Sequence, residues 1–249
     1  TGVADAYAID AQDSTVAILY GWEFQDLTLW KSNDYGNSWT KTILMEFPID
    51  AYDPDETTFF DTTEITDGNV SVVIDQNGTV HCAWGEIDAW RDNLDGANVS
   101  FAQPRIMYWN DEPGFGNKVF AGGAIDRDGD QTLNISQETL ILTLGRYGNG
   151  GIATHPNITT DEDGNIFIAY TAALELTASL NNENYRDVYI VHSDDGGNSW
   201  GEPQNISNDP EEEQVFPALA KYSDDYLYLT YQQDIDPGTA VGGAEGNQN

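Results

Sequence analysis

The sequence predicts an all-β fold, and three observations carry this prediction. Short runs of β-branched and aromatic residues, such as 70–74 and 80–84, recur along the chain. Clusters of Gly, Asn and Asp, which are typical turn residues, separate these runs. Apolar residues hardly ever recur at the spacing of an amphipathic helix. We therefore expect short antiparallel strands that are joined by turns.

A strand-turn-strand segment is repeated along the chain, and this repeat is the main clue to its organisation. Residues 156–170 match residues 217–231 at a constant offset of 61 without a gap. Residues 72–84 form a third copy, and residues 9–20 form a looser fourth copy. An acidic turn separates two apolar runs in each copy, so each copy predicts a pair of neighbouring strands.

A second repeat follows a different set of apolar runs. Residues 27–39 match residues 188–200 at a constant offset of 161. Both copies contain the pattern Ser-x-Asp-x-Gly-x-Ser-Trp, in which x is any residue. A degenerate third version follows the run 105–109, where Asn110 stands at the serine position and Asn117 replaces the tryptophan.

The second repeat resembles the Asp-box, the bacterial neuraminidase repeat of sialidase-like β-propellers. In that family the box forms the hairpin turn between the third and fourth strands of a four-stranded blade. The residue types suit a turn, because Asp and Ser side chains cap backbone amides, Gly adopts positive φ, and Trp packs beneath the turn. We therefore interpret the polar residues of both boxes as structural rather than catalytic: Ser32, Asp34, Ser193 and Asp195.

The resemblance implies a β-propeller of four-stranded antiparallel blades. The repeats predict blades over residues 7–49, 69–120 and 156–206, an incomplete blade over 215–249, and an insertion over 121–151. Residues 54–67 are interpreted as an acidic connector. About three and a half blades are therefore expected in one domain or segment, residues 1–249. Because the family typically has six blades, we expect a six-bladed or larger ring that continues into further blades or domains.

The charge of the chain excludes several kinds of partner. Asp and Glu number 43 against 9 Lys and Arg, which gives a formal net charge of -34 at pH 7. So few cations cannot neutralise phosphates, so we expect no nucleic-acid partner. The sequence has no run of about 18 apolar residues, and we expect no membrane insertion. Excess acid suits salty surroundings, which favours a secreted or cell-surface location.

The arginines disfavour a sialidase activity. Sialidases of this fold bind the substrate carboxylate with three arginines, one of them in an Arg-Ile-Pro motif. Among the five arginines of this chain, the nearest match is Arg105-Ile106-Met107, which departs at the third residue. A site without clustered guanidinium groups in such a negative field would repel an anionic sugar. Hydrolysis of a neutral glycan needs only two carboxylates, and we assign no catalytic residue among so many acids.

One acidic segment is a candidate calcium site. Asp126, Asp128 and Asp130 alternate along the chain, and calcium prefers six to eight oxygen ligands. The segment departs from an EF-hand loop, because Gly129 precedes the last Asp and Gln137 stands at the twelfth position. We expect calcium as a cofactor at these three residues, and the alternative is a solvated acidic turn.

Three functions remain open at this stage. The first is a non-enzymatic protein that binds glycans or proteins through its loops. Aromatic residues of these loops would then stack on sugars, and the candidates are Trp22, Trp90, Tyr147 and Tyr185. The second is a glycoside hydrolase of the same fold, and the third is a structural module of a cell-envelope protein that calcium makes rigid. We expect binding rather than catalysis.

Overall fold

The computed structural model describes residues 6–56, 58–131, 133, 150–177, 179–180, 183–223 and 225–238, without the side chains of residues 101 and 102. These residues form strands, bends and turns, and none of them lies in a helix. The prediction of an all-β fold with antiparallel sheets is confirmed. The described part of the chain accordingly contains no helix that could cross a membrane.

Two four-stranded antiparallel sheets are formed by strands that are adjacent in chain order. The first sheet consists of β1 (Tyr7–Gln12), β2 (Thr15–Tyr20), β3 (Leu27–Ser32) and β4 (Thr40–Met45). The second sheet consists of β5 (Phe60–Ile74), β6 (Val80–Arg91), β7 (Asn98–Asn110) and β8 (Val119–Gly122).

The third sheet has the same antiparallel core and one additional strand. Its core consists of β9 (Ala153–Asp161), β10 (Ile166–Ala173), β11 (Arg186–Ser193) and β12 (Gln204–Asn205). The last unit is a two-stranded sheet of β13 (Glu213–Leu219) and β15 (Leu229–Asp234). In the sequence, β14 (Tyr222–Ser223) lies between these two strands, but it pairs in parallel with β9 of the third sheet.

The strand boundaries differ from the repeats in one segment. Strand β5 begins at Phe60, so the interpretation of residues 54–67 as a connector does not hold for its second half. Ile65 is buried and packs with Ile87 of β6, and the neighbouring threonines favour a strand despite the acids between them. The predicted insertion 121–151 is described only in part, and residues 239–249 of the predicted tail lie outside the described residues.

The second sheet is buried on both faces. Along β6, Cys82 and Trp84 pack against Leu19 of the first sheet, whereas Ala83 faces the third sheet. The cluster on that side includes Tyr170 of β10. Because side chains alternate along a strand, apolar residues at every position cover both faces at once. The first strands of the units also contact one another in succession, β1 with β5, β5 with β9, and β9 with β13.

The first sheet is covered on one face only among the described residues. Its other face carries Ile9, Ile18 and Trp30, which lie opposite one another in the strand register. Ile9 is 61% exposed and Trp30 is 39% exposed. The repeat places Trp30 at the position of Val191 in the third sheet, and Val191 is buried against the second sheet. The open face therefore has the composition of a face that another sheet covers.

Residues of the last unit reach the first sheet. Lys221 Nζ lies 2.5 Å from Asp10 Oδ1 and donates to the carbonyl oxygen of Ala11 at 2.7 Å. The Tyr222 hydroxyl donates to the side chain of Gln12. These contacts connect the last unit to the first sheet. Because β14 also pairs with β9, the same segment connects the first and third sheets.

Both copies of the Ser-x-Asp-x-Gly-x-Ser-Trp pattern form the turn between the third and fourth strands of their sheet. In the first copy, Asp34 Oδ1 accepts hydrogen bonds from the Ser32 hydroxyl and the Ser38 amide, both at 2.8 Å. In the second copy, Asp195 Oδ1 accepts the equivalent bonds from Ser193 at 2.8 Å and Ser199 at 2.9 Å. These aspartates therefore hold backbone and hydroxyl donors of the turn.

The same bonds lower the pKa of both aspartates. The Ser38 hydroxyl and amide are the main cause for Asp34, and Ser199 has the same effect on Asp195, so each pKa is about 2. Depressed carboxyl pKa values stabilise the fold above the ordinary value of 3.8, and this contribution is lost as the pH falls towards 2.

The two turns differ in the side chain that lies next to the glycine of the pattern. Gly36 and Gly197 both have positive φ, +84° and +87°. A Cβ at Gly197 would lie 2.1 Å from the ring of Tyr108 in the second sheet, whereas a Cβ at Gly36 would lie 3.6 Å from Trp39. Trp200 also packs edge-to-face on Tyr108, with ring centroids 5.0 Å apart. The second turn is therefore part of the contact between sheets two and three.

We predict that Gly197→Ala destabilises the protein more than Gly36→Ala. Both changes carry the strain of positive φ, about 1 kcal/mol, but only the first forces Tyr108 to move, which costs about 1–3 kcal/mol more. Urea unfolding of both variants beside the unchanged protein measures the difference. Equal losses of stability would contradict the close contact.

Candidate functional site

The three predicted calcium ligands lie together, and a fourth carboxylate joins them. Asp126, Asp128 and Asp130 follow β8, and Glu175 follows β10 of the next sheet. One carboxylate oxygen of each lies within 4.8 Å of the others. Glu175 is fully buried, whereas Asp128 and Asp130 are exposed.

Backbone amides hold this acidic cluster in place. Asp126 accepts hydrogen bonds from the amides of Gly129 and Gln131, both at 2.6 Å. Burial, the largest influence, raises the Asp126 pKa, but these amides outweigh it and the pKa is lowered. The Asp130 amide lowers the pKa of Asp128, but burial and three neighbouring carboxylates outweigh it and the pKa is raised. A cation would relieve this repulsion.

Glu175 could not be found from the spacing that revealed the other three residues. It lies in a different unit of the repeat, and its carboxylate and its backbone carbonyl oxygen accept hydrogen bonds from the acidic segment. The Arg127 amide donates to Glu175 Oε2 at 2.5 Å, and the Arg127 guanidinium donates to the Glu175 carbonyl oxygen at 3.3 Å. Arg127 thus links the two segments.

A second candidate site lies where the first strands carry bulges. The register of β5 shifts between Thr66 and Val70, and that of β13 shifts between Val215 and Ala218. In β9 the shift lies around His155, and both His155 and Phe216 have positive φ, +52° and +54°. Their rings lie 4.5 Å apart. Such strained residues and bulges cluster at functional sites, because they re-aim side chains.

Asp67 is the buried carboxylate of this bulge site. It accepts hydrogen bonds from the Thr154 hydroxyl at 2.6 Å and the Gly151 amide at 3.2 Å, both beside or within β9, and from the Asn69 amide at 2.9 Å. Burial outweighs these donors and raises the Asp67 pKa. A Cβ at Gly85 would lie 2.4 Å from this carboxylate, so the neighbouring strand also leaves room for it.

Glu23, which lies in the loop between β2 and β3, is the second acid of this site. Burial, and then the charge of Asp67, raises the pKa of Glu23 to about 7. The adjacent Trp22 packs so closely against Gly68 that a Cβ at that glycine would lie 2.8 Å from the indole. A half-buried carboxyl group with this pKa can donate a proton near neutral pH.

The described arginines are bonded to protein groups. Arg91 donates to the Tyr52 hydroxyl at 3.0 Å and the Glu56 carbonyl oxygen at 2.6 Å. Arg105 lies 2.5 Å from Asp88 and 3.5 Å from Glu64. The buried Arg186 donates to the carbonyl oxygens of Gly151 and Ile152, both at 3.0 Å. Arg127 contacts Glu175, and Arg146 lies outside the described residues.

The aromatic residues that were predicted to stack on sugars are mostly packed. Trp22 and Trp90 are half-buried. The hydroxyl of the half-buried Tyr185 donates to the carbonyl oxygen of Ile235 at 3.5 Å. Tyr147 lies outside the described residues.

Comparisons with known proteins give matches among solved structures only. No family model matches the chain, and no curated protein matches it. The Hadza microbial sialidase Hz136 is 14% identical with a TM-score of 0.49, over 91% of this chain and 41% of the sialidase. A protein of unknown function from Dyadobacter fermentans is 12% identical with a TM-score of 0.48, over 92% and 63%.

A polysaccharide lyase, the PL25 ulvan lyase, is also 12% identical with a TM-score of 0.48, over 92% of this chain and 52% of the lyase. This chain therefore spans less than two thirds of each of these proteins. No residue or activity is transferred from them.

We predict that the Glu23 carboxyl makes stability fall as the pH rises from about 4.5 to 7. An acid with a raised pKa binds more protons in the folded than in the unfolded state across this window, so raising the pH favours unfolding. Glu23→Gln should flatten this slope, as measured by urea unfolding at pH values of about 4 and about 7.5, which bracket the window. Glu162→Gln, a change of an exposed acid in the turn between β9 and β10, is the matched control. An unchanged slope in Glu23→Gln would contradict the raised pKa.

Proposed function

We propose that the chain is a segment of a secreted or cell-surface β-propeller with Asp-box turns, and that it binds an uncharged glycan or a protein without catalysing a reaction. The sheet order, the two matching turns and the successive contacts of the first strands support the propeller. The open face of the first sheet supports the view that further blades continue the ring.

The functional proposal rests on the hydrogen bonds that the described arginines already make within the protein. The four described arginines donate to protein oxygens, in a chain with a formal net charge of -34. Planar guanidinium groups are the usual partners of carboxylate and sulfate, and they are already committed here. Hydroxyl groups need only the amides, carboxylates and hydroxyls that this surface offers in excess. An uncharged saccharide is therefore the best-matched small ligand.

A glycan array at about 0.15 M salt, where long-range repulsion is screened, tests this proposal. We expect binding to neutral oligosaccharides and weaker or no binding to the same glycans with terminal sialic acid or sulfate. Preferential binding of the anionic glycans would overturn the proposal. A negative array together with capture of a protein partner would restrict it to the protein-binding alternative.

A second candidate function is hydrolysis of a neutral glycoside, and Glu23 beside Asp67 is the observation that favours it. A carboxyl group that is protonated near pH 7 is suited to protonate a leaving glycosidic oxygen. New reducing ends released from the neutral glycans, and lost in Glu23→Gln, would establish this alternative. Binding without release would favour the non-enzymatic proposal.

We also propose that Asp126, Asp128, Asp130 and Glu175 bind calcium and thereby make the junction of sheets two and three rigid. Four carboxylates supply hard oxygen ligands. The hydrogen bonds that Asp126 accepts from two backbone amides keep the segment in a compact turn. This site would serve the binding protein and the structural module equally.

Calcium removal is the test of this cluster. A hundredfold excess of calcium over Kd should raise the melting temperature by about 5–10 °C, and a chelator should reverse the rise. Asp128→Asn should reduce the effect, whereas Asp163→Asn, a change of an exposed acid in the turn between β9 and β10, should retain it. A melting temperature that calcium and chelator leave unchanged would exclude the site.

A further inference from the structure

A cleft of about 390 Å³ opens between sheets two and three, at the end where the turns lie. The described residues that line it all come from these two sheets and their turns. The lining includes carboxylates, side-chain amides, one histidine and one aromatic ring: Asp75, Asn77, His81, Asn110, Phe115 and Asn198.

His81 is the buried polar group of this cleft. It is 5% exposed, and its Nδ1 lies 2.7 Å from the hydroxyl of Tyr108. Asn110 Nδ2 donates to the same hydroxyl at 2.8 Å, so the hydroxyl directs its own proton to His81 Nδ1. The remaining imidazole proton then lies on Nε2, which has no hydrogen-bond partner among the described residues.

Asp75 supplies an acceptor close to this free N–H group. Its Oδ1 accepts the amides of Asn77 at 2.9 Å and Thr79 at 2.8 Å, which shape the turn between β5 and β6. Its Oδ2 lies 3.6 Å from His81 Nε2 and 3.5 Å from Asn77 Nδ2, too far for good hydrogen bonds. Burial raises the Asp75 pKa, but the nearby His81 side chain and the Thr79 amide outweigh it and lower the pKa below its ordinary value.

We propose that a hydroxyl group of an uncharged saccharide binds between His81 Nε2 and Asp75 Oδ2. One oxygen atom would lie at hydrogen-bond distance from both, accepting from the imidazole and donating to the carboxylate. Because Nε2 is buried in the unbound chain, binding requires the His81 ring to move towards the cleft. Further hydroxyls can reach the amides of Asn77 and Asn198, and Phe115 offers an apolar wall. This site rests on the proposed binding of uncharged glycans and gives it a location.

The repeat itself argues that His81 is not needed for the turn. The equivalent turn of the third sheet has Asp161, whose Oδ1 accepts the amides of Asp163 at 3.0 Å and Asn165 at 2.8 Å. The position of His81 is occupied there by Phe167. The same turn therefore forms without a histidine, so the turn does not account for His81, whose Nδ1 instead bonds the Tyr108 hydroxyl.

Carboxylates at the rim select the charge of the ligand. Glu112 and Asp195 also line the cleft, and the part of its wall that the structure describes holds no Lys or Arg. An anionic sugar would meet three carboxylates and no described cation there, whereas a neutral sugar would meet acceptors for its hydroxyls. The charge of the cleft thus favours an uncharged saccharide, which is also the ligand class inferred from the bonded arginines.

The test uses the methyl glycosides of glucose, galactose and mannose as probes with the full chain. Saturation-transfer NMR detects binding, and titration of the His81 imidazole signals locates it. We expect a shift of the His81 Nε2 signal on binding and a loss of affinity of about tenfold or more in His81→Phe, which copies the third sheet. Urea unfolding checks that this variant is folded.

A second, matched pair keeps the proposal testable if His81→Phe does not fold. Asp75→Asn and Asp161→Asn change equivalent turns, but the Asp161 turn contributes only Gly164 to the cleft, whereas Asp75 itself lines it. The first change should therefore weaken binding much more than the second. Binding that neither His81→Phe nor Asp75→Asn affects would overturn this site and leave the glycan proposal standing. Failure of every neutral probe, together with a glycan array without neutral binders, would overturn both.

Discussion

The burial of one β-sheet face against the next is the interaction on which the rest of the structure depends. The second sheet is apolar on both faces and is stable only between two neighbours, because each exposed face would leave large side chains such as Trp84 in water. The alternation of Cys82, Ala83 and Trp84 along β6 serves this arrangement directly. The acidic cluster and the cleft lie at the ends of the sheets, whereas the bulge site around the buried Asp67 lies within β5.

The excess of acid is compatible with this arrangement because many carboxylates are used as turn caps. Asp34 and Asp195 bind the donors of one turn type, and Asp75 and Asp161 bind the amides of the other. These acids stabilise local structure, and all four are at least partly exposed to solvent, where salt screens their repulsion. The remaining carboxylates leave a surface that is suited to hydroxyl groups and cations.

The repeats of the sequence predicted local structure well, because turn chemistry is encoded in neighbouring residues. The hairpin between β3 and β4 and that between β11 and β12 lie where the serine, aspartate and glycine spacing indicated. The start of β5 at Phe60 was missed, because acidic residues concealed a run of β-branched ones. Contacts between units could be predicted least, since nothing in the spacing links Glu175 to Asp126 or Glu23 to Asp67.

His81 illustrates how a repeat reveals function once the structure is known. In the sequence, no metal-ligand spacing surrounds His81. Its significance emerges from the comparison with Phe167, which occupies the same position in a turn of the same geometry. A departure from the repeat at a position that the turn does not need is the signal that sequence reasoning could have used.

Hydrogen exchange of the backbone amides tests the central claim, that burial between neighbouring sheets determines stability. We expect the slowest exchange in β6 and β10, which lie inside sheets that contact a neighbouring unit on each side, and faster exchange in the inner strands of the first sheet, β2 and β3. Protection in β2 and β3 equal to that in β6 would show that burial on both faces does not determine stability, because the first sheet would then need no second neighbour.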